Sequence, residues 1–136
     1  MSENKQTVKK EEKEYFYQTQ HISFPDQQPA GTLYKDIVLN NAYQRCVGIA
    51  LFPITDGGQS FYRIGLGDQN QDYLNNIHYK ALVSSEASGL EVDKRFLKVN
   101  IKAEGHILKL RTEIQNQVTS ELSYDFILLL ERDKKM

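Results

Sequence analysis

The residues best suited to chemistry lie in RIGLGDQNQD, Arg63 to Asp72, where two glycines one residue apart lead into acids and amides. Three uses fit such a stretch. A phosphate cradle needs glycines opening onto a helix N-terminus, and a dinucleotide fingerprint needs three of them in G-x-G-x-x-G spacing. Gly65 and Gly67 supply two, and the acidic DQNQDYLNN that follows repels phosphate. A calcium loop would use oxygens at alternate positions, which Asp68, Asn70 and Asp72 offer. Counted from Asp68, however, the sixth and twelfth places hold Tyr73 and Tyr79, where an EF-hand loop requires glycine and a bidentate glutamate. In the third use, Gly67 lets the chain leave an apolar strand, and the short polar side chains bond the local backbone of a solvated loop at 68–76. The residues favour this third use, and no metal ligand is assigned.

Other groups that could do chemistry are isolated. His21, His78 and His106 lie far apart, none beside a second ligand type, and read as surface or edge-strand residues. Cys46 is the only cysteine, so no internal disulfide forms. Its setting, RCVGIAL, is that of a buried thiol in a strand, with Arg45 on the opposite face, and fits a chain made in a reducing cytoplasm. There is no G-x-S-x-G elbow, no P-loop, and no acidic pair that could be nominated for glycoside hydrolysis. The expectation is a protein that is not an enzyme, with no catalytic residue, no cofactor and no metal.

The elements that would position these residues are strands. The 136 residues suffice for one domain with its own core. TLYKDIVL alternates Leu33, Ile37 and Leu39 against Tyr34 and Asp36, and FYRIGLG places Tyr62, Ile64 and Leu66 on one face. YQRCVGIALFPI is nearly continuous in apolar residues, with Val47, Ile49 and Leu51 opposed to Cys46, Ala50 and Phe52. A turn at TDGGQS separates it from the next strand, and a looser strand is expected at NIHYKALV. RFLKVNIKAEG sets Leu97, Val99, Ile101 and Ala103 against lysines and an asparagine, and HILKLRTEI continues with Leu108, Leu110, Thr112 and Ile114. Glu104 and Gly105 between them read as a tight hairpin. No helical period is sustained. About eight short strands point to an all-β fold, an antiparallel β-sandwich of jelly-roll type.

Charge and leader complete the outline. Seventeen Lys+Arg against 18 Asp+Glu give no basic surface for nucleic acid or an anionic membrane, and no apolar run is long enough to span a bilayer. The first residues have no apolar h-region, so no signal peptide is expected. Residues 1–14 are charged and poor in apolar side chains and read as a polar arm, with residues 15–132 the sandwich and 133–136 a tail.

Association is the use these features suggest. The chain has eight Tyr, six Phe and no Trp, and Tyr15, Phe16 and Tyr17 open the first strand. In DFILLLER, if Phe126, Leu128 and Leu130 face the core, Ile127 and Leu129 leave the other face of the same sheet, to be covered by a loop or by another subunit. The expected contact residues are therefore Lys9 and Lys10 in the arm, Tyr15 and Tyr17 on the first strand, and Ile127 and Leu129 on the last. The alternative is a carbohydrate- or ligand-binding module using exposed Tyr, Tyr73 above all, beside the 68–76 loop.

DIVLNNAYQRCVGIALFPITDGG, FYRIGLGDQ, RFLKVNIKAEG and YDFILLLER together resemble the small all-β virion proteins of tailed bacteriophages, over residues 32–132 and in general character. The resemblance implies a single sandwich or jelly-roll module that builds or decorates a capsid or tail. It further implies a charged arm reaching to a neighbour, no catalytic set, and partners that are copies of itself or other virion proteins. The place implied is a virion assembled in the host cytoplasm. No functional residue is carried over from the family.

Overall fold

Side chains that alternate between apolar and polar make strands with one greasy face, and such strands lower their free energy by stacking two sheets greasy side inward. This is the arrangement in the computed structural model, which describes residues 12–58, 61–83 and 96–134. The strands are β1 (Lys13–Phe24), β2 (Gly31–Val38), β3 (Arg45–Asp56), β4 (Tyr62–Gly67), β5 (Asp72–His78), β6 (Leu97–Lys102), β7 (Ile107–Ile114) and β8 (Leu122–Asp133). Two four-stranded antiparallel sheets form, in the orders β1-β8-β3-β6 and β2-β7-β4-β5. The pairing is nested: first strand with last, second with seventh, third with sixth, fourth with fifth. Among the described residues the only helical piece is a 3-10 turn at Tyr79–Ala81, and no helix is long and apolar enough to cross a membrane.

The core lies between the sheets. Ile37, Tyr62, Ile64, Leu66, Leu108 and Leu110 from one sheet meet Cys46, Ile49, Leu51, Tyr124, Phe126, Leu128 and Leu130 from the other. Each fully buried side chain of this kind is worth roughly 1.5–3 kcal/mol. Tyr124 spans the gap, its hydroxyl 2.7 Å from Thr112 Oγ1 on the opposite sheet and its ring 5.2 Å from that of Tyr62. The alternation expected in the second strand, in FYRIGLG and in HILKLRTEI is the alternation observed.

Several local expectations are corrected. In β3 the faces do not follow simple alternation. A bulge between Cys46 and Gly48 inserts Val47 against β8, so Cys46 joins Ile49 and Leu51 in the core, while Val47, Ala50 and Phe52 face outward. The turn at Glu104 and Gly105 is tight, with φ of 54° and 81° and His106 N–H donating to Ala103 O at 3.0 Å, yet it does not join a hairpin. Ala103 N–H bonds Gln44 O and Leu39 N–H bonds His106 O, so the chains on its two sides belong to different sheets and β6 and β7 never pair. Leu97, at the start of β6, is exposed. The strand expected at NIHYKALV begins earlier, at Asp72, and gives way to the 3-10 turn. The solvated loop is thereby cut to residues 68–71.

The sandwich also reaches past its expected limits. Lys13 and Glu14 are the first residues of β1, opposite Asp133 and Arg132 of β8. Glu14 accepts a hydrogen bond from Arg132 at 3.1 Å, and Lys13 pairs with Asp133. Residues 1–11 of the expected arm, with Lys9 and Lys10, lie outside the described residues.

Candidate functional site

The glycines of RIGLGDQNQD prepare a surface for two charges. Gly65 in β4 stands directly across from Arg111 in β7. A methyl group on Gly65 would fall 2.4 Å from Arg111 Nη2 and 2.4 Å from Asn76 Oδ1, and one on Gly67 would fall 2.4 Å from Asp72 Oδ1. The bare backbone thus lets the guanidinium lie over β4 and reach β5. There Arg111 Nη1 donates to Asp72 at 2.9 Å, Nη2 to Leu74 O at 3.1 Å and Nε to Asn76 at 3.3 Å. Asn76, at φ 44°, sits where the β4–β5 register slips.

Asp68, first residue of the loop, is the most heavily hydrogen-bonded carboxylate here. Its Oδ1 accepts from the backbone N–H of Asn70 (2.8 Å) and of Gln71 (2.9 Å). Its Oδ2 accepts from Tyr73 Oη at 2.8 Å and lies 2.7 Å from His106 Nε2. The bond to His106, then those to Asn70 and Tyr73, hold the carboxyl well below the usual aspartate range, although burial opposes them. Burial, followed by donation to Asp68, pushes the Tyr73 hydroxyl up. The loop between β4 and β5 is thereby clamped to the start of β7. A cleft of about 580 Å³ opens beside the clamp, lined among others by Asp36, Asn70, Ile107, Lys109 and Arg111.

A carboxylate holding an imidazole is two-thirds of a nucleophilic triad. The third part is missing from the lining, which holds no serine, threonine or cysteine. Cys46 is buried on the core side of β3, where desolvation pushes its thiol up to about 12, far from the thiolate that nucleophilic attack requires. The basic side chains of the cleft are each matched: Arg111 pairs with Asp72 and Lys109 with Asp36 at 3.4 Å, while the His106 ring is held by Asp68.

Of the oxygens proposed for calcium, those of Asp68 are taken by four donors and Asp72 Oδ1 by Arg111. Among the described residues no three His, Cys, Asp or Glu side chains group as a metal site. The histidines stay apart: His21 Nδ1 is 2.8 Å from Asp125 across the β1–β8 pair, and His78 stacks on Phe61 with ring centroids 5.4 Å apart. Tyr73, the residue expected to greet a ligand, is partly buried against the core and occupied by Asp68.

The expected contact residues on the outer face of the β1-β8-β3-β6 sheet divide. Tyr15 and Tyr17 are 53% and 48% exposed, and Phe16 between them is 41% exposed. Ile127 is half-buried, but Leu129 is only 5% exposed. Phe96 lies on it, in a small outer cluster with Ala50, Val47, Phe52 and Ile127, and the Phe96 ring is 5.8 Å from that of Tyr17. Gly48 makes room, since a Cβ there would meet Phe96 Cβ at 2.9 Å. Among the described residues Phe96 therefore covers Leu129, and the aromatic margin of β1 stays open.

Sequence reading missed the Asp68–His106 clamp, the Arg111 bridge and Phe96 as a cover. Only the bridge left a signal, in the glycines at 65 and 67, and that signal needed the β4–β7 pairing to be understood. Neither a family model nor a curated protein matches this chain.

Proposed function

We propose that this chain is a non-catalytic assembly module, a β-sandwich that associates with copies of itself or docks on a larger shell, like the tailed-phage virion proteins it resembles. One observation carries the reading: three consecutive aromatic residues, Tyr15 to Tyr17, stand exposed along the margin of a sheet whose outer face already bears an apolar cluster. Exposed aromatic surface next to apolar surface is the composition of a contact patch. The nested strand pairing supports a jelly-roll winding, and the structural employment of Asp68, His106 and Cys46 favours a brick over a catalyst. Residence in a virion and assembly in a host cytoplasm rest on the resemblance alone. Light scattering across a concentration series tests self-association: mass should rise above 15.7 kDa with concentration, and a strict monomer throughout would overturn association with copies of itself.

A second reading, ligand binding, is favoured by the cleft beside Asp68, which is large enough for a monosaccharide-sized molecule and lined by both signs of charge. Glycan-array binding that disappears in Asp36→Ala and Lys109→Ala would favour it over assembly.

A further inference from the structure

The proposed self-association leaves open which surface meets which, and the four sheet edges are not equivalent. An edge strand exposes unpaired backbone N–H and C=O groups, and proteins that stay single blunt such edges with short strands, bulges, prolines or lysines. β6 has six residues and carries Lys98 and Lys102. β5 has seven residues, pairs with two register shifts and bears Asn76 at positive φ. β2 has eight residues and carries Lys35 and Asp36 at its middle. β1 has twelve residues, runs along β8 with no bulge, contains no proline, and has its one lysine at the first position. Among the described residues no strand pairs with its outer edge.

The sequence of this open edge is its own complement. Tyr15-Phe16-Tyr17 reads the same in both directions, so antiparallel pairing about a two-fold axis at its centre sets aromatic against aromatic throughout the stretch. With the axis at Phe16, Phe16 faces Phe16 of a second copy and Tyr15 faces its Tyr17, twice over. Glu14 then faces Gln18, Lys13 faces Thr19 and Glu12 faces Gln20, so no charge meets a like charge or an apolar side chain. Moving the axis to Tyr17 or Gln18 breaks the match, placing Lys13 against His21 or Tyr15 against His21. Every pair in the favoured register joins residues of equal parity, so each face continues across the join.

We infer, resting on the assembly reading, that two copies of this chain pair through the outer edges of β1, antiparallel about Phe16, to make one continuous eight-stranded sheet. Six rings about half exposed, of roughly 200 Å² each, offer on the order of 600 Å², somewhat over a third of the roughly 1,600 Å² of a standard specific interface before the backbone ladder is added. Such a contact is reversible and depends on concentration.

Phe16→Cys tests the register. Facing Cα atoms in an antiparallel pair are about 4.5–5.5 Å apart, within disulfide reach, whereas Thr19→Cys places equivalent residues six steps out of register, about 20 Å apart. Oxidised glutathione is the oxidant: two protein thiols give one disulfide, and the glutathione disulfide is reduced to two thiols. The expected result is a covalent dimer for Phe16→Cys and none for Thr19→Cys. In parallel, the double variant Tyr15→Lys with Tyr17→Lys sets lysine against lysine in both flanking pairs. It should return the full chain to monomer mass while keeping the far-ultraviolet circular dichroism of the β-sandwich. A wild-type oligomer that survives the double lysine variant, or cysteines at 16 and 19 that cross-link equally, would overturn this interface and leave self-assembly standing. A wild-type monomer at every concentration would overturn both.

Discussion

Gly65→Ala is a substitution whose sign should depend on one other residue. In the wild-type chain the new methyl group collides with the Arg111 guanidinium and the Asn76 amide, both at 2.4 Å, and the guanidinium must lift away from β4. That loosens its bonds to Asp72, Leu74 O and Asn76. The pair with Asp72, whose side chain is half exposed, is worth about 0.2–1 kcal/mol after screening. The two neutral-acceptor bonds add roughly 1–2 kcal/mol. Against this, alanine is about 0.5–1 kcal/mol better than glycine in a strand interior. The balance is a loss of about 1 kcal/mol, or a melting temperature lower by roughly 3–5 °C for a domain of this size. In an Arg111→Ala background the obstacle is gone, Asn76 can turn aside, and the same substitution should be neutral or stabilising by up to about 1 kcal/mol. Urea titrations of the four proteins, followed by far-ultraviolet circular dichroism because the chain has no tryptophan, give the coupling energy directly. Equal costs of Gly65→Ala in both backgrounds would refute the assignment of this glycine to the guanidinium.

Three further outcomes are expected. Tyr62 Oη is buried without a hydrogen-bond partner among the described residues, so Tyr62→Phe should raise stability, by about 1 kcal/mol in a urea titration. The Asp68 carboxyl is depressed in the folded chain. Its contribution is therefore complete above the ordinary aspartate value of about 3.9 and is lost as pH falls from there towards the folded value. Acid titration of Asp68→Asn should accordingly show a shallower loss of stability below about pH 4 than wild type. Burial raises the Cys46 thiol to about 12, so an aromatic disulfide reagent at neutral pH should label it only after denaturant is added; rapid labelling of the native chain would show that β3 opens.

Where a fact is local it could be read from the residues. Ile64 and Leu66 in β4, and Leu108 and Leu110 in β7, are buried as their period of two requires, and the apolar run of β3 is buried on both faces. What escaped was set by partners distant in the chain. Simple alternation fails in β3 because one extra residue, Val47, reverses the faces from Gly48 to Pro53, where a second register shift follows, and no residue type announces a bulge. The Glu104-Gly105 turn was legible in conformation, but the destinations of its two arms are decided by Gln44 and Leu39. Asp68 and His106 are 38 positions apart and Arg111 and Asp72 are 39 apart, so their pairing waits on the β4–β7 and β4–β5 registers. Leu129 was rightly seen to leave the core face, while Phe96, which covers it, belongs to a segment with no apparent tie to β8.

The nested pairing has a consequence for how the chain is made. β8, the last of the eight strands in chain order, fills the slot between β1 and β3, so each of those two strands must wait with one raw margin facing the other across an empty lane. Only the β3–β6 pair of that sheet can form before β8 arrives, and joining β1 to β8 must close the long stretch between Phe24 and Leu122, which slows folding. During that wait Tyr15-Phe16-Tyr17 and the apolar run of β3 are both available to neighbouring nascent chains on the same message, and a chaperone that shields them until residue 133 emerges would raise the yield of finished sandwich.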